Sequence, residues 1–305
     1  MTGGQGFIGS YTVKELIAQG HTPLVFDRVD HRIHPEVEFF LGDIRDDVDV
    51  TEAMAHAEGF IHLAGVLGTA ETIANPRPAA HTNIIGGLNV FAAARQYKVP
   101  GVNIAVGNHW ENNTYSITKS TMERFATMFN NYEGTNISIL RALNAYGPGQ
   151  TVAAPYGDSK VRKIMPSFIC RALSGDPIEI YGDGNQIMDM IYVEDVAKSL
   201  VGALNYTVEN GYIDHVLEAG SGVSTTVNDI ANKVVEVAGQ GQINHLPMRK
   251  GETPGAIVLG DQSTLDILKP YGVDHEQFVD LTDGVGRAVE YFRGYLSRRM
   301  ASKDC

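Results

Sequence analysis

The sequence predicts an α/β fold, a doubly wound parallel sheet with a smaller α/β unit after it. Three features carry that expectation. Gly3, Gly6 and Gly9 form a glycine run at the head of an amphipathic stretch. Short apolar runs then alternate with helical patterns as far as about residue 150, as in a parallel sheet with helical crossovers. Beyond Pro148 the alternation gives way to a mixed pattern in which helices dominate.

The glycine run has the form a dinucleotide site needs. One glycine makes the turn, one lets the backbone approach a pyrophosphate, and one lets the next helix lie close on the sheet. The first parallel strand of such a fold precedes this turn and lies mid-sheet, yet only Met1 and Thr2 stand before Gly3. A native segment upstream of Met1 is therefore expected to complete that strand. Tyr11 to Gln19 reads as a helix with Val13, Leu16 and Ile17 on one side and Gly20 as its stop. Leu24 to Phe26 is a buried strand ending in Asp27, at the spacing where an acid bonds the ribose hydroxyls of NAD and repels the extra phosphate of NADP. Arg28 follows and could receive that phosphate, so NAD is favoured and NADP is the alternative.

Val37 to Leu41 and Gly59 to Ala64 are further strands, His81 to Tyr97 a helix, and Val102 to Val106 the next strand. A helix then runs from Tyr115 to about Tyr132. Tyr115 and Lys119 are four residues apart and share one face of it. An adjacent ammonium favours phenolate, so the tyrosine pKa is expected to fall from about 10 toward working pH and suit a general acid or base.

In the second half, Ile164 to Leu173, Val193 to Asn205, Thr226 to Ala238 and Asp283 to Arg298 read as helices and Ile178 to Tyr181 as a strand. The tail from Arg298 to Cys305 reads as frayed. The expected division is a dinucleotide-binding domain over residues 1–150, with a segment at about 183–215 returning to it, and a mainly substrate-binding unit over 151–305.

Bulk properties bound the function. The chain has 305 residues, 43% hydrophobic and 20% charged, with net charge -12. That balance fits a soluble globular protein and argues against nucleic acid or an anionic membrane as partner. No apolar run approaches the roughly 20 residues of a membrane span. Cys170 and Cys305 are too few for a disulfide framework, which points to a reducing, cytoplasmic setting. No metal site is read from the sequence.

Together these motifs resemble the extended short-chain dehydrogenase/reductase family, the NAD-dependent nucleotide-sugar epimerases and dehydratases. The matching pieces are Thr2-Gly-Gly-Gln-Gly-Phe-Ile-Gly9, Asp27, Gly42-Asp43-Ile44, His62-Leu-Ala-Gly65, Asn83 with Gly86, Tyr115-x-x-x-Lys119 and Arg141-Ala-Leu-Asn-Ala-Tyr-Gly-Pro-Gly149. Pro177-Ile-Glu-Ile-Tyr-Gly-Asp-Gly184, Tyr192-Val-Glu-Asp195 and Glu218-Ala-Gly-Ser-Gly222 follow in family order. The resemblance implies a Rossmann-type sheet, a homodimer and a nucleotide-sugar substrate. It assigns Gly3, Gly6, Phe7, Ile8, Gly9, Asp27, Asp43, Ile44, Leu63, Ala64, Gly65, Asn83, Tyr115 and Lys119 to the cofactor and Asn144 and Arg249 to the substrate; Arg28 beside Asp27 is a further cofactor candidate and Lys163, from a local basic cluster, a further substrate candidate.

Two departures qualify it. The segment Ala105-Val106-Gly107-Asn108-His109-Trp110 lacks the hydroxyl that assists the tyrosine in the family, leaving Asn108, His109 or Thr114 to donate in its place. The Thr-Asp-Glu cluster of 4,6-dehydratases is also missing, with Glu111 the only nearby acid. Met188 stands where the family has a diphosphate arginine, although Arg249 matches the second one and Lys160, Arg162 and Lys163 form a basic cluster. The expected activity is epimerisation of a nucleotide sugar, at C4, by transient hydride transfer. A 4,6-dehydratase or reductase is the second reading, and a dinucleotide-binding protein without turnover the third.

Overall fold

The computed structural model describes residues 1–31 and 33–301. Helix α1 (Phe7–Ala18) follows the glycine run and leads to strands β1 (Leu24–Asp27) and β2 (Glu38–Leu41), helix α2 (Asp47–Met54) and strand β3 (Phe60–His62). A continuous helical segment comes next: α3 (Arg77–Ala80), a π-helical stretch His81–Gly86, and α4 (Gly87–Tyr97). β4 (Gly101–Val106), α5 (Thr114–Glu133), β5 (Ile137–Ala142) and β6 (Asn144–Tyr146) complete the first half.

The second half contains α6 (Ile164–Ser174), β7 (Ile178–Tyr181), β8 (Ile187–Met188), β9 (Met190–Tyr192) and α7 (Val193–Asn210). β10 (Leu217–Ala219), β11 (Thr225–Thr226), α8 (Val227–Ala238), β12 (Ile243–Leu246) and β13 (Ile257–Val258) follow. A 3₁₀ helix Gln262–Tyr271 and α9 (Leu281–Ala301) end the described chain. Arg298 to Ala301, read from sequence as the start of a frayed tail, are the last turn of α9; the rest of that tail, with Cys305, lies outside the described residues.

The main sheet is parallel. β10, β5, β4 and β3 pair in that order, β1 pairs with β2, and Thr2 bridges β1 at Phe26 to β3 at His62. The place of a central strand is thus held by Met1 to Gly3. The Thr2 amide donates to the Ile61 carbonyl at 3.0 Å, and the Gly3 amide to that of Phe26 at 3.0 Å. β4 is buried at every position because helices cover both faces of the sheet. One face packs Leu16, Ile104, Leu140 and Leu200 beneath α1 and α7. The other packs Phe91, Ala105, Phe129 and Ile139 beneath α2, α4 and α5.

A separate core of Ile169, Ile178, Ile180, Ile230 and Phe292 joins α6, α8, α9 and β7. The chain returns from this unit to the main sheet through α7, which packs on α1, and through β10, which pairs with β5. No helix among the described residues is long and apolar enough to cross a membrane.

Candidate active site

A cavity of about 580 Å³ opens at the C-terminal ends of the parallel strands, running from the glycine turn to the second unit. Its first end is built by close backbone approach. Gly3 has φ 73°, and a Cβ there would lie 2.8 Å from the Ala64 nitrogen. A Cβ at Gly9 would lie 2.1 Å from the Gly3 carbonyl oxygen, closer than a non-bonded carbon can sit. At Gly6 a Cβ would touch only the Gly3 oxygen, at 3.2 Å, so that surface stays open. Gly6 caps α1 without a side-chain bond, which leaves free amides at the helix end for an anion. Phe7, Ile8, Leu63, Ala64 and Gly65 line the same end.

Thr2 and His62 hold the turn against the strand that follows. The Leu63 and Ala64 amides donate to Thr2 Oγ1 at 3.2 and 3.3 Å, and that hydroxyl lies 2.7 Å from His62 Nδ1. Burial, with the Lys119 ammonium adding to it, lowers the His62 pKa to about 3, so the neutral ring accepts a hydrogen bond from the Thr2 hydroxyl. The unfolded chain then binds a proton that the folded chain refuses between about pH 6.5 and 3, and stability falls as pH drops through that window. His62→Asn is expected to flatten the acid limb of a melting-temperature profile relative to wild type. Parallel profiles would show that His62 does not titrate this way.

Asp27 and Asp43 stand on the wall beside the turn. Asp27 accepts the Gln5 amide at 3.1 Å and the Val29 amide at 3.4 Å, with Arg28 next to it on the cavity wall. Asp43 accepts three bonds from the Arg45 side chain, two from Nε and one from Nη2, which hold its carboxyl below the usual carboxylate range. Ile44 fills the space beneath Gly86, where a Cβ would lie 2.7 Å from its Cδ1. Asn83 lies behind the wall and does not line the cavity. It donates to the Val66 carbonyl and to Thr118 Oγ1 and accepts the Val66 amide, tying the loop after β3 to α5. The π-helical turn around it belongs to the kind of irregularity that re-aims a side chain at a functional site.

Tyr115 and Lys119 both line the cavity, on the first turns of α5, which Asn113 caps by accepting the Ser116 amide at 2.9 Å. The expected downward pull on Tyr115 is overturned: burial pushes the phenol above its ordinary value. Burial lowers Lys119 to about 8, with Glu123 opposing the shift. Glu123 is a weak counter-ion because Arg141 claims it, at 2.7 Å, while also bonding Glu218 at 3.0 Å. In this site desolvation outweighs the attraction of the pair, and both groups are held toward their neutral forms.

The segment that lacks a hydroxyl is rearranged. Thr114 donates to the Thr72 carbonyl at 3.2 Å and does not line the cavity, and neither does His109. Asn108 does line it, with its amide committed to Glu111 Oε2 at 2.7 Å.

At the far end Asn144, Lys163, Met188 and Arg249 share the wall with Arg162 and Tyr181. The Arg162 and Arg249 guanidinium carbons lie 5.1 and 4.9 Å from the centre of the Tyr181 ring. Arg162 bonds Glu179 at 2.8 Å and the Tyr181 hydroxyl at 2.7 Å, and Arg249 pairs with Glu252. Arg162 Nη2 and Arg249 Nε are buried without a hydrogen-bond partner among the described residues. Two guanidiniums thus stand on one ring, each paired with a carboxylate and each with one donor that has no partner among the described residues.

Residues 1–213 match the NAD dependent epimerase/dehydratase family. The chain belongs to this family. It is similar to the UDP-glucose 4-epimerase of Thermotoga maritima solved with UDP-glucose, at 28% identity and TM-score 0.84, over 97% of this chain and 98% of that one. It is also similar to the UDP-glucose 4-epimerase of Thermus thermophilus solved with NAD, at 26% identity and TM-score 0.80, over 96% and 98% of the two chains. Among curated proteins, a dTDP-glucose 4,6-dehydratase of an Actinoplanes species is 25% identical over 97% of this chain and 98% of its own.

The residues present fit the family cofactor, NAD. The cradle between Gly3 and Gly9 is one a Cβ would fill, the α1 amides are free, and Asp27 stands beside them. In this family member the two departures noted in the sequence lie on neighbouring parts of the cavity wall: Val258, the strand partner of Met188, stands against Gly107. Met188, Asn108 and Glu111 all line the cavity. Sequence reasoning missed Thr2 and Tyr181 as builders of the site; a Thr opposite a strand-end His, and an aromatic between two basic segments, were the available signals.

Proposed function

We propose that the protein is an NAD-dependent epimerase acting at C4 of a nucleotide-activated sugar. The observation that carries this reading is one continuous cavity with the glycine cradle at one end, Tyr115 and Lys119 on its wall, and the Arg162/Arg249 pair at the other. Bound NAD supplies a hydride acceptor that is restored within each cycle. Arg249, Arg162 and Lys163 seat the diphosphate, and Asn144 orients the sugar. Tyr115 Oη takes and returns the hydroxyl proton through its phenolate form, which the positive charges of Lys119 and of bound NAD would favour against the burial that raises the phenol. Lys119 keeps that phenol oxygen supplied with positive charge when it ionises. The enclosing wall keeps bulk water from the transferred hydride.

The test is product analysis with UDP-glucose, dTDP-glucose and UDP-glucuronate. An isomer of equal mass supports epimerisation; a 4-keto-6-deoxy product would assign the chain to the dehydratases.

A homodimer and a cytoplasmic setting belong to the same reading. Ile85 and Ile117 are exposed at 45% and 49%, and Tyr132 at 81%, along the α5 side of the molecule, and such a face suits a second copy. The scarcity of cysteine suits a reducing compartment. Light scattering should give the mass of a dimer for the wild type, and Ile117→Asp should shift it toward the monomer. An unchanged mass in the variant would remove α5 from the interface.

A further inference from the structure

Lys119 is a buried cation without a counter-ion of its own. It is 5% exposed and lines the cavity, and among the described residues no carboxylate forms an ion pair with it. Glu123 stands one turn further along the same face of α5, the spacing at which a lysine and an acid pair on a helix. That carboxylate is taken instead by Arg141 on β5. Arg141 Nε donates to Oε1 at 3.1 Å and Nη2 to Oε2 at 2.7 Å, so the guanidinium fork closes on both oxygens. Arg141 is fixed from its other side as well, since Nη1 reaches Glu218 Oε1 at 3.0 Å and Glu218 Oε2 accepts the Asp261 amide at 2.9 Å. The Arg141 and Glu123 side chains are nearly closed off from water, so salt and solvent screen them little.

The other groups that face Lys119 do not replace that counter-ion. Tyr115 on its own helix is a neutral phenol and His62 on β3 a neutral ring, each kept neutral by burial. β4 carries no titratable side chain, and the π-helical stretch meets this turn of α5 through Asn83, a neutral amide bonded to Thr118. Glu123 is the carboxylate whose charge acts on the lysine.

We propose that Arg141 is a positioning residue for the reaction: by holding Glu123 it keeps the Lys119 ammonium unpaired, so that the ammonium's charge falls on the Tyr115 phenolate. The inference rests on the nucleotide-sugar reading above. An ammonium closed in a salt bridge loses most of its field at a third group, because the partner carboxylate lies almost as near with opposite sign. Left without Arg141, Glu123 would make that bridge. Arg141 is the better partner for it, since a planar fork matches both carboxylate oxygens and an ammonium is a point charge. The charge of Lys119 is then free for the phenol oxygen when it gives up its proton.

The arrangement also sets a pH limit. Burial lowers Lys119 to about 8, and above that pH the ammonium and its support of the phenolate are lost. Removing Arg141 takes away a cation and frees a carboxylate, and both changes raise the lysine. Removing the Glu123 charge alone leaves the Arg141 cation beside the lysine and lowers it.

The experiment follows Lys119 by NMR of its ¹³C-labelled ε-carbon in protein carrying NAD, with the signal identified by its loss in Lys119→Arg. Turnover of UDP-glucose, dTDP-glucose and UDP-glucuronate is measured over the same pH range. Arg141→Met should raise the Lys119 titration and the alkaline limb of kcat by about one pH unit or more, and should lower kcat at neutral pH about 10-fold as the phenolate loses support. Glu123→Gln, which keeps the shape of the side chain, should move titration and limb downward. The double variant should return both toward wild type, and Arg141→Lys, which keeps a cation on Glu123, should shift them less than Arg141→Met. A role limited to stapling α5 to the sheet predicts a lower melting temperature in Arg141→Met with the Lys119 titration unmoved, and that result would overturn the proposal. If Arg141→Met does not fold, Glu123→Gln decides alone, and a titration that stays or rises in it overturns the proposal too. Failure of every sugar to reduce the cofactor would contradict the nucleotide-sugar reading instead, and the Lys119 titration would still decide whether Arg141 keeps Glu123 from the lysine.

Discussion

Tyr115→Phe is expected to lower kcat by about 10²- to 10⁴-fold while NAD stays bound. The substitution removes one oxygen from a ring that burial already holds in its neutral form, so packing on the cavity wall is conserved. What is lost is the proton carrier that α5 presents to the sugar hydroxyl beside Lys119. At 1.36 kcal/mol per decade, the loss amounts to about 3–5 kcal/mol of transition-state stabilisation. KM should change little, because substrate is gripped at the arginine end. Steady-state rates together with the absorbance of co-purified cofactor check this. A variant that turns over near the wild-type rate would show that another group carries the proton.

Gly9→Ala should damage the cofactor site more than any other single methyl group. The added Cβ would lie 2.1 Å from the Gly3 carbonyl oxygen and 2.8 Å from the Gly4 Cα. Both neighbours are backbone in the turn itself, so relief requires α1 to move off the glycine run. Overpacking of this kind costs about 1–3 kcal/mol of stability. If the turn shifts by a few tenths of an ångström, NAD affinity should fall about 10- to 100-fold, a change of about 1.4–2.8 kcal/mol. Gly20→Ala is the matched control. Gly20 has φ 83° but nothing within 4 Å of an added methyl, so only backbone strain of about 1 kcal/mol is expected and NAD binding should be untouched. Isothermal titration of NAD and thermal melting of both variants separate the two effects. Equal NAD affinity in Gly9→Ala and wild type would refute the role of close approach.

The contrast between those glycines shows what the sequence made legible. Gly3, Gly6 and Gly9 recur at fixed spacing before an apolar-faced helix, and their chemistry follows from that spacing. Tyr115 and Lys119 are equally legible, since a four-residue separation on a helix places them on one face in almost any context. β5, Ile137–Ala142, was harder to see: its apolar run carries no alternation because both faces are buried, and Arg141 interrupts it to reach Glu123 and Glu218. α2 shows the opposite weakness. It is short and acidic, with Val48 pointing outward, and its apolar side is only Val50, Ala53 and Met54, beside the Asp46 cap.

Electrostatics were the least legible. Helical spacing says that Lys119 and Tyr115 are neighbours, but not that Arg141 on β5 takes the counter-ion of the lysine or that burial dominates both groups. The roles of Thr2 and Tyr181 depend on His62 and Arg249, residues far away in the chain that only the fold brings to them. Glu111 and Gly251 are joined through Asn113 across more than a hundred residues, a contact only the folded chain creates.

The central claim is that one cavity oxidises and re-reduces a nucleotide sugar at Tyr115 with no net change in its cofactor. Its most direct test is to mix the protein carrying NAD with UDP-glucose, dTDP-glucose or UDP-glucuronate, then follow nicotinamide absorbance and product mass in the same reaction. The prediction is a small transient of reduced cofactor, accumulation of an isomer of unchanged mass in ordinary water, and full recovery of NAD. Reduced cofactor building up in step with product, a product lighter by one water, or no cofactor reduction with any of the three sugars would contradict it.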